Sequence, residues 1–332
     1  MESSIFLKIM LTCFLLTSVQ LKANTVCKLN PCEPGGEYDH WFTGPIFTPN
    51  PRALPPSHPA LETVLISSCT YGIYDNNWKI QNIPQILSVG PYVDFQCSFN
   101  EIVGIEYIGS LASNFSQGMI STHLRDSIFR LGFQISRDRP ESWIPDFRIL
   151  LQETFPTGKY EKLNKRKKGT DLTGQGTFQT GIFLAFQKLF HAWETHCFSI
   201  RGDIGYFVAS NVRIKGVNYY TGIYDADGSV FPGQSLAVFL TGELSLSSKL
   251  NIACETFFQY QRRGHFSGKI KDLNSKNQPL IKIRGFAQLT IVPEIEYTIT
   301  SNLGLIFGSA VTLMGKNAPA FYSALLSALY VF

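Results

Sequence analysis

The last stretch of the chain, residues 321–332, constrains the fold most. Stepping back in twos from Phe332 gives Tyr330, Ala328, Leu326, Ala324 and Tyr322. A period of two places these side chains on one face of a β-strand. That face is apolar with an aromatic residue at each end, the pattern of a barrel strand that meets lipid on its outer side. The competing reading is a buried terminal strand of a soluble sheet. The rest of the chain decides between the two.

The same alternation recurs upstream. About twelve segments read as strands, an even number as bacterial barrels require, and the alternation is clear in many of them. They run over 61–74, 83–97, 101–109, 124–136, 144–155, 176–189, 193–209, 235–246, 250–262, 282–298, 303–314 and 320–332. Leu236, Val238, Leu240, Leu244 and Leu246 share one face, opposite Ser235, Thr241, Glu243, Ser245 and Ser247. Phe198, Ile200, Ile204, Tyr206 and Val208 likewise oppose Ser199, Arg201 and Asp203. Of the 332 residues 44% are hydrophobic and only 16% charged, with no apolar block long enough for a membrane helix. Apolar and polar residues that alternate suit a transmembrane antiparallel up-and-down β-barrel, an all-β fold. The net charge of +4 is too small to imply a nucleic-acid partner.

Connection lengths give a second test. With the amino end of the first strand on the periplasmic side, the connections 98–100, 137–143, 190–192, 247–249 and 299–302 are short turns there. Those over 75–82, 110–123, 156–175, 210–234, 263–281 and 315–319 are mostly long and polar and lie outside. Short inner turns against long outer loops are the outer-membrane pattern. Phe332 then falls at the periplasmic rim. There, with Tyr330, it reads as the signal recognised by the barrel-assembly machinery.

Residues 1–23 read as an export signal. Lys8 supplies the charge, residues 9–19 the apolar run and Ala23 a small residue for cleavage. Six cysteines remain after it: Cys27, Cys32, Cys69, Cys97, Cys197 and Cys254. Export permits disulfides, and Cys27 and Cys32 could close a small loop; alternatively the later four are small apolar strand residues. Residues 24–60 are rich in proline, which forbids a regular helix or central strand. Trp41, Phe42 and Phe47 interrupt the prolines, so this segment reads as a plug, a cover for the periplasmic mouth, or a loose tail. The barrel proper is then 61–332.

Residues 151–160, with Pro156, Thr157, Gly158 and Tyr160, are followed by Gly169, Gly174 and Gly176. This stretch resembles a motif of the outer-membrane family named for the MetA pathway of phenol degradation. Trp41, Gly44, Pro45 and Phe47, and then His58, Pro59, Leu61 and Glu62, are similar to sequence before the first strand of related barrels. The resemblance implies an outer-membrane channel or transporter for small, often aromatic or apolar, compounds.

Candidate chemistry lies on the inward face. Asp94, Glu106, Arg130, Arg148, Arg201, Asp203, Glu243, Glu255, Arg284, Glu294 and Glu296 are expected to line a pore, since enclosed charges persist only when solvated or paired. Arg130 and Arg148 sit on neighbouring strands and the acids on others, which implies basic and acidic walls that pair across the lumen. A plugged barrel with a packed polar network is the other reading. Lys159, Lys162, Lys165, Arg166, Lys167 and Lys168 form a basic run in an outer loop, solvated or in contact with lipopolysaccharide phosphates. No catalytic constellation, cofactor motif or metal-ligand spacing stands out. A lipid hydrolase built on His196 is the weakest alternative, and a non-transporting structural barrel the stronger one. The expected partners are outer-membrane lipid, lipopolysaccharide, the assembly machinery and a small-molecule solute.

Overall fold

The computed structural model describes residues 42–139, 142–193, 196–270 and 283–332. Ala23, Cys27, Cys32 and Trp41, and with them the export signal, lie outside these residues. Among the described residues the chain forms sixteen β-strands and one short 3-10 helix.

Twelve of the strands close into one antiparallel barrel. In chain order these are β1 (Ala60–Tyr74), β2 (Ile80–Ser98), β3 (Val103–Ser116), β5 (Ser127–Ser136), β6 (Asp146–Phe155), β7 (Gln179–Trp193), β8 (His196–Ala209), β11 (Ser235–Ser245), β12 (Leu250–Gln261), β14 (Phe286–Thr300), β15 (Leu303–Lys316) and β16 (Pro319–Val331). The remaining four are β4 (Met119–Leu124), β9 (Val212–Asn218), β10 (Gly222–Phe231) and β13 (His265–Ile270). Every barrel strand pairs with its neighbours in sequence along the wall, and β16 returns to β1, with Val331 opposite Ala60 and Tyr322 opposite Cys69. The Phe332 amide donates to the Pro59 carbonyl at 2.9 Å, so the chain end is tied to the residue that leads into β1.

The alternation sorts side chains by solvent. Leu65, Ile204, Leu240, Ile295 and Leu326 point outward and are exposed, whereas Ala185, Ala253, Thr290 and Ser327 point inward and are buried. Exposed aromatics stand at both rims: Tyr206, Tyr260 and Tyr322 at one, Tyr297, Tyr330 and Phe332 at the other. An apolar band between two aromatic rings is stable only in hydrocarbon, because water would penalise all of it.

One rim carries tight turns, and several use the same local device. Asn100 Oδ1 accepts the amides of Ile102 and Val103, Ser247 Oγ those of Lys249 and Leu250, and Thr300 Oγ1 those of Asn302 and Leu303. A short polar side chain that bonds two or three residues ahead stands in for the ladder where the chain reverses.

The opposite rim departs from the sequence reading. The stretch 110–123, expected as a loop, is a hairpin extension of the wall: β3 runs on to Ser116 and β4 returns from Met119. Gln117 and Gly118 turn it with φ of 49° and 77°, the left-handed pair a two-residue hairpin needs. The stretches 210–234 and 263–281, also expected as loops, contribute β9, β10 and β13, which pair into a separate sheet. Val212, Ile214, Ala226, Val230 and Ile270 give it its own core, with Tyr160, Tyr220 and Phe266 packed on it. Polar, glycine-containing sequence hid these strands, since their partners are other loops and not the wall.

Candidate functional site in the barrel lumen

The site is the lumen, and its main occupant is the chain itself. Residues 42–59 precede β1 and contain Pro45, Pro49, Pro51, Pro55, Pro56 and Pro59. Proline denies this backbone a sheet or helix, so its remaining amides need side-chain acceptors. The wall supplies them. The Thr43 amide donates to Glu296 Oε2 at 3.0 Å and the Ile46 amide to Glu294 Oε1 at 3.4 Å. The Phe47 amide reaches Glu255 Oε1 at 3.1 Å, and the Thr48 amide and hydroxyl both reach Glu255 Oε2, at 2.7 and 2.6 Å. Three carboxylates on β12 and β14 thus form a ladder that holds an irregular backbone, bent at residues 46–48. The segment then turns back toward the rim of tight turns. There the Ala53 amide donates to Gln134 Oε1 at 2.7 Å, Gln134 Nε2 donates to the Pro51 carbonyl, and Arg148 Nη1 to the Asn50 carbonyl. Gly44, which lies against the Arg201 guanidinium, has φ of +91°, a conformation that favours glycine.

Of the sequence-expected lining residues, Asp94, Glu106, Arg130, Arg148, Arg201, Asp203, Glu243, Glu255, Glu294 and Glu296 face inward and are at most 8% exposed. Arg284 is the exception. It is exposed and lies in the connection before β14, which begins only at Phe286. The alternation was carried too far upstream there. The charge pairs also differ from expectation, since they run along the wall and not across the lumen. Arg130 on β5 ion-pairs with Glu106 on the adjacent β3, and its Nε donates to Gln152 Oε1 at 2.8 Å. Arg201 makes a two-pronged pair with Glu243 on adjacent β11, at 2.8 and 3.1 Å. Arg148 spends a guanidinium donor on the plug.

Sequence reasoning missed three sets of residues. Glu62 on β1 faces inward and accepts from Ser327 Oγ at 2.5 Å. Gln134 on β5 faces inward and anchors the plug. Most important, Phe183, Phe207, Phe239 and Phe257 point into the lumen from β7, β8, β11 and β12. Their ring centroids lie 5.1 Å (Phe183–Phe207), 6.2 Å (Phe183–Phe239) and 5.6 Å (Phe239–Phe257) apart, and Phe47 of the plug joins at 5.7 Å from Phe257. The parity of Phe239 with Thr241 and Glu243, and of Phe257 with Glu255, was the available signal. A cavity of about 880 Å³ remains between plug and wall, bounded by these rings and by polar side chains such as Ser110, Gln179 and Gln259.

The motif around 156–176 has a structural task. Asp126 Oδ1 accepts the Gly158 amide and Oδ2 the Gln175 amide, each at 2.8 Å. The two loop arms meet at Gly158 and Gly174, where a Cβ on Gly158 would come within 2.6 Å of the opposite backbone. Burial pushes the Asp126 carboxyl up, against the pull of its two backbone donors. In the basic run, Lys159 is paired with Asp171 at 3.1 Å, while Lys162 is exposed beside Glu161. Cys69, Cys97 and Cys254 are free thiols on strands; Cys197 is disulfide-bonded, to none of these three. The side chain of His196 lies outside the described part.

With this geometry established, a search of solved structures finds an outer membrane channel from Pseudomonas putida F1, with TM-score 0.66 and 13% identity over 87% of this chain and 100% of that one. The fold is that of an outer-membrane β-barrel. The transport unit of the autotransporter AIDA-I from Escherichia coli follows at TM-score 0.43 and 10% identity (82% and 90% covered), and the NanC porin at 0.38 and 10% (81% and 98% covered). At those scores they add nothing to the first. No protein-family model matches the sequence, and no curated protein matches it.

Proposed function

We propose that this protein is an outer-membrane channel for small, partly apolar molecules, narrowed by its own residues 42–59. The observation that carries the reading is the cavity of about 880 Å³ between plug and wall, which offers a solute both aromatic rings and polar groups. Pockets that bind small molecules combine apolar lining with a few placed polar groups in this way. The shared fold with a protein described as an outer membrane channel supports it, as does the motif resemblance to the phenol-degradation family. In this reading the tight turns face the periplasm and the sheet of β9, β10 and β13 faces outward. The basic run meets lipopolysaccharide phosphates, and Tyr330 and Phe332 are read by the assembly machinery.

Planar-bilayer recording tests the proposal. The intact protein is expected to give small, discrete conductance steps, and deletion of residues 42–53 to enlarge them. Silence from both forms would favour the non-transporting structural barrel, which the filled lower lumen makes the second reading. Deletion of Phe332 is expected to lower the amount of heat-modifiable barrel, with unchanged assembly counting against the signal role.

A further inference from the structure

The lumen holds more negative charge than its own cations and donors satisfy. Glu255, Glu294 and Glu296 are engaged by the plug backbone, and Glu243 by Arg201. A second set of acidic side chains lies on β1, β2 and β3. Glu62 lies opposite Asp94 in register, and Gln96 opposite Glu106, so the three carboxylates neighbour one another across adjacent strands. Among the described residues Arg130 ion-pairs only with Glu106, its Nε being given to Gln152. Asp94 is 4% exposed and Glu106 3%, yet Asp94 Oδ1 and Glu106 Oε2 have no hydrogen-bond partner among the described residues. A buried carboxylate oxygen without a donor costs far more than one that is paired.

An independent observation points to the missing partner. The cavity bounded by Glu62, Asp94 and Glu106 is the one bounded by Phe183 and Phe257. One organic cation already sits in this setting. The Arg130 guanidinium is ion-paired to Glu106 and lies over the Phe183 ring, 5.4 Å from its centroid. Carboxylate on one side and aromatic face on the other is how a soft, weakly hydrated cation is held. Among the described residues no three carboxylate, imidazole or thiol groups converge as metal ligands. The arrangement therefore suits a cation that brings its own apolar body.

We infer that Glu62 and Asp94 form the polar half of a binding site for an organic cation, an ammonium group carried on an aromatic body. The ammonium donates to Asp94 Oδ1 and the Glu62 carboxylate, and the ring packs toward Phe183 and Phe257. This rests on the channel reading and deepens it by naming a solute class.

The full-length protein, refolded in detergent, is titrated by calorimetry with phenethylammonium and, as controls of the same shape, 3-phenylpropionate and 2-phenylethanol. The ammonium is expected to bind and the two controls to bind at least tenfold more weakly. The double variant Glu62→Gln with Asp94→Asn is expected to lose roughly tenfold in affinity, the scale of one charge-assisted hydrogen bond. Asp94→Glu, which keeps the charge, is expected to retain binding. Heat-modifiability on gels establishes that each variant is folded. Equal binding of the carboxylate or alcohol, undiminished affinity in the folded double variant, or no binding of the ammonium would each overturn the site. Current recordings keep the two ideas apart. Binding without conductance removes the channel and leaves the site; conductance without binding or block by the ammonium removes the site and leaves the channel.

Discussion

The plug and the outer sheet occupy opposite ends of the same barrel and are held by opposite means. The plug has no ladder of its own, and its backbone is satisfied by Glu255, Glu294, Glu296, Gln134 and Arg148 of the wall. The outer sheet of β9, β10 and β13 pairs its strands with one another and with the loop at Glu161, Lys162 and Leu163, and packs its own core around Ile214 and Val230. One is therefore a guest of the barrel, fixed by a few charge-assisted hydrogen bonds. The other is a small folded unit fixed by apolar contact. A guest of the first kind can be released by altering single wall residues, whereas the second resists everything except damage to its core.

The contrast is broken most sharply at Glu255. Glu255→Ala leaves the Phe47 amide and the Thr48 amide and hydroxyl without their acceptor, a loss of about 3 kcal/mol or more for buried donors. The expected result is trypsin cleavage at Arg52 and larger bilayer conductance, with the barrel still heat-modifiable; an uncut segment would mean that the ladder is not what holds it. In the outer sheet, Ile214→Ala removes a fully buried side chain and is expected to cost about 2–4 kcal/mol locally. Proteolysis at Arg213 or Lys215 should then rise while conductance stays the same. A change in conductance instead would show that the two ends are coupled. Asp126→Ala removes the acceptor of two loop amides, and about 1–3 kcal/mol of loop docking goes with it. Amide exchange at Gly158 and Gln175 is expected to accelerate, with the core amides of β9 unaffected.

The smallest effect is a pH response in the β1–β2 connection. Hydrogen bonds from the Lys79 and Asn77 amides hold the Asp75 carboxyl below its usual value. A depressed carboxylate stabilises its surroundings above its unfolded pKa and loses that contribution as pH falls through the folded one. The protection factors at Asn77 and Lys79, measured against the intrinsic exchange rate at each pH, should therefore fall on acidification below the ordinary carboxylate range, and pH-independent protection would refute the role given to Asp75.

The barrel was legible because lipid is an unforgiving solvent. A strand such as 320–332 must keep its outward positions apolar, so the period of two survives in the sequence without interruption. Strand ends blurred where that constraint lapses: Arg284 was assigned to the lumen because polar residues beyond the rim obey no period. The aromatic cluster escaped for the reverse reason. Phe239 and Phe257 sit inside, where both ring and carboxylate are tolerated, so hydrophobicity alone could not assign them a side. The ladder of Glu255, Glu294 and Glu296 was read as pore lining because side-chain parity gives direction but not partner. Its partner is a proline-rich backbone 207 to 253 residues away in sequence, and no local pattern records such a contact.

The seam between β1 and β16 joins Ala60 to Val331, and the residues that fill the lumen end where this seam begins. No other pair of adjacent strands in the wall is so far apart along the chain, so zipping it restricts the longest loop and carries the greatest entropic penalty. The plug enters just upstream of that seam and bonds to β12 and β14, already on the far side of it. Its capture brings the leading edge of the chain back to the trailing edge. The segment that narrows the finished barrel is thus placed to act as a tether during closure, shortening the search that the last seam would otherwise make.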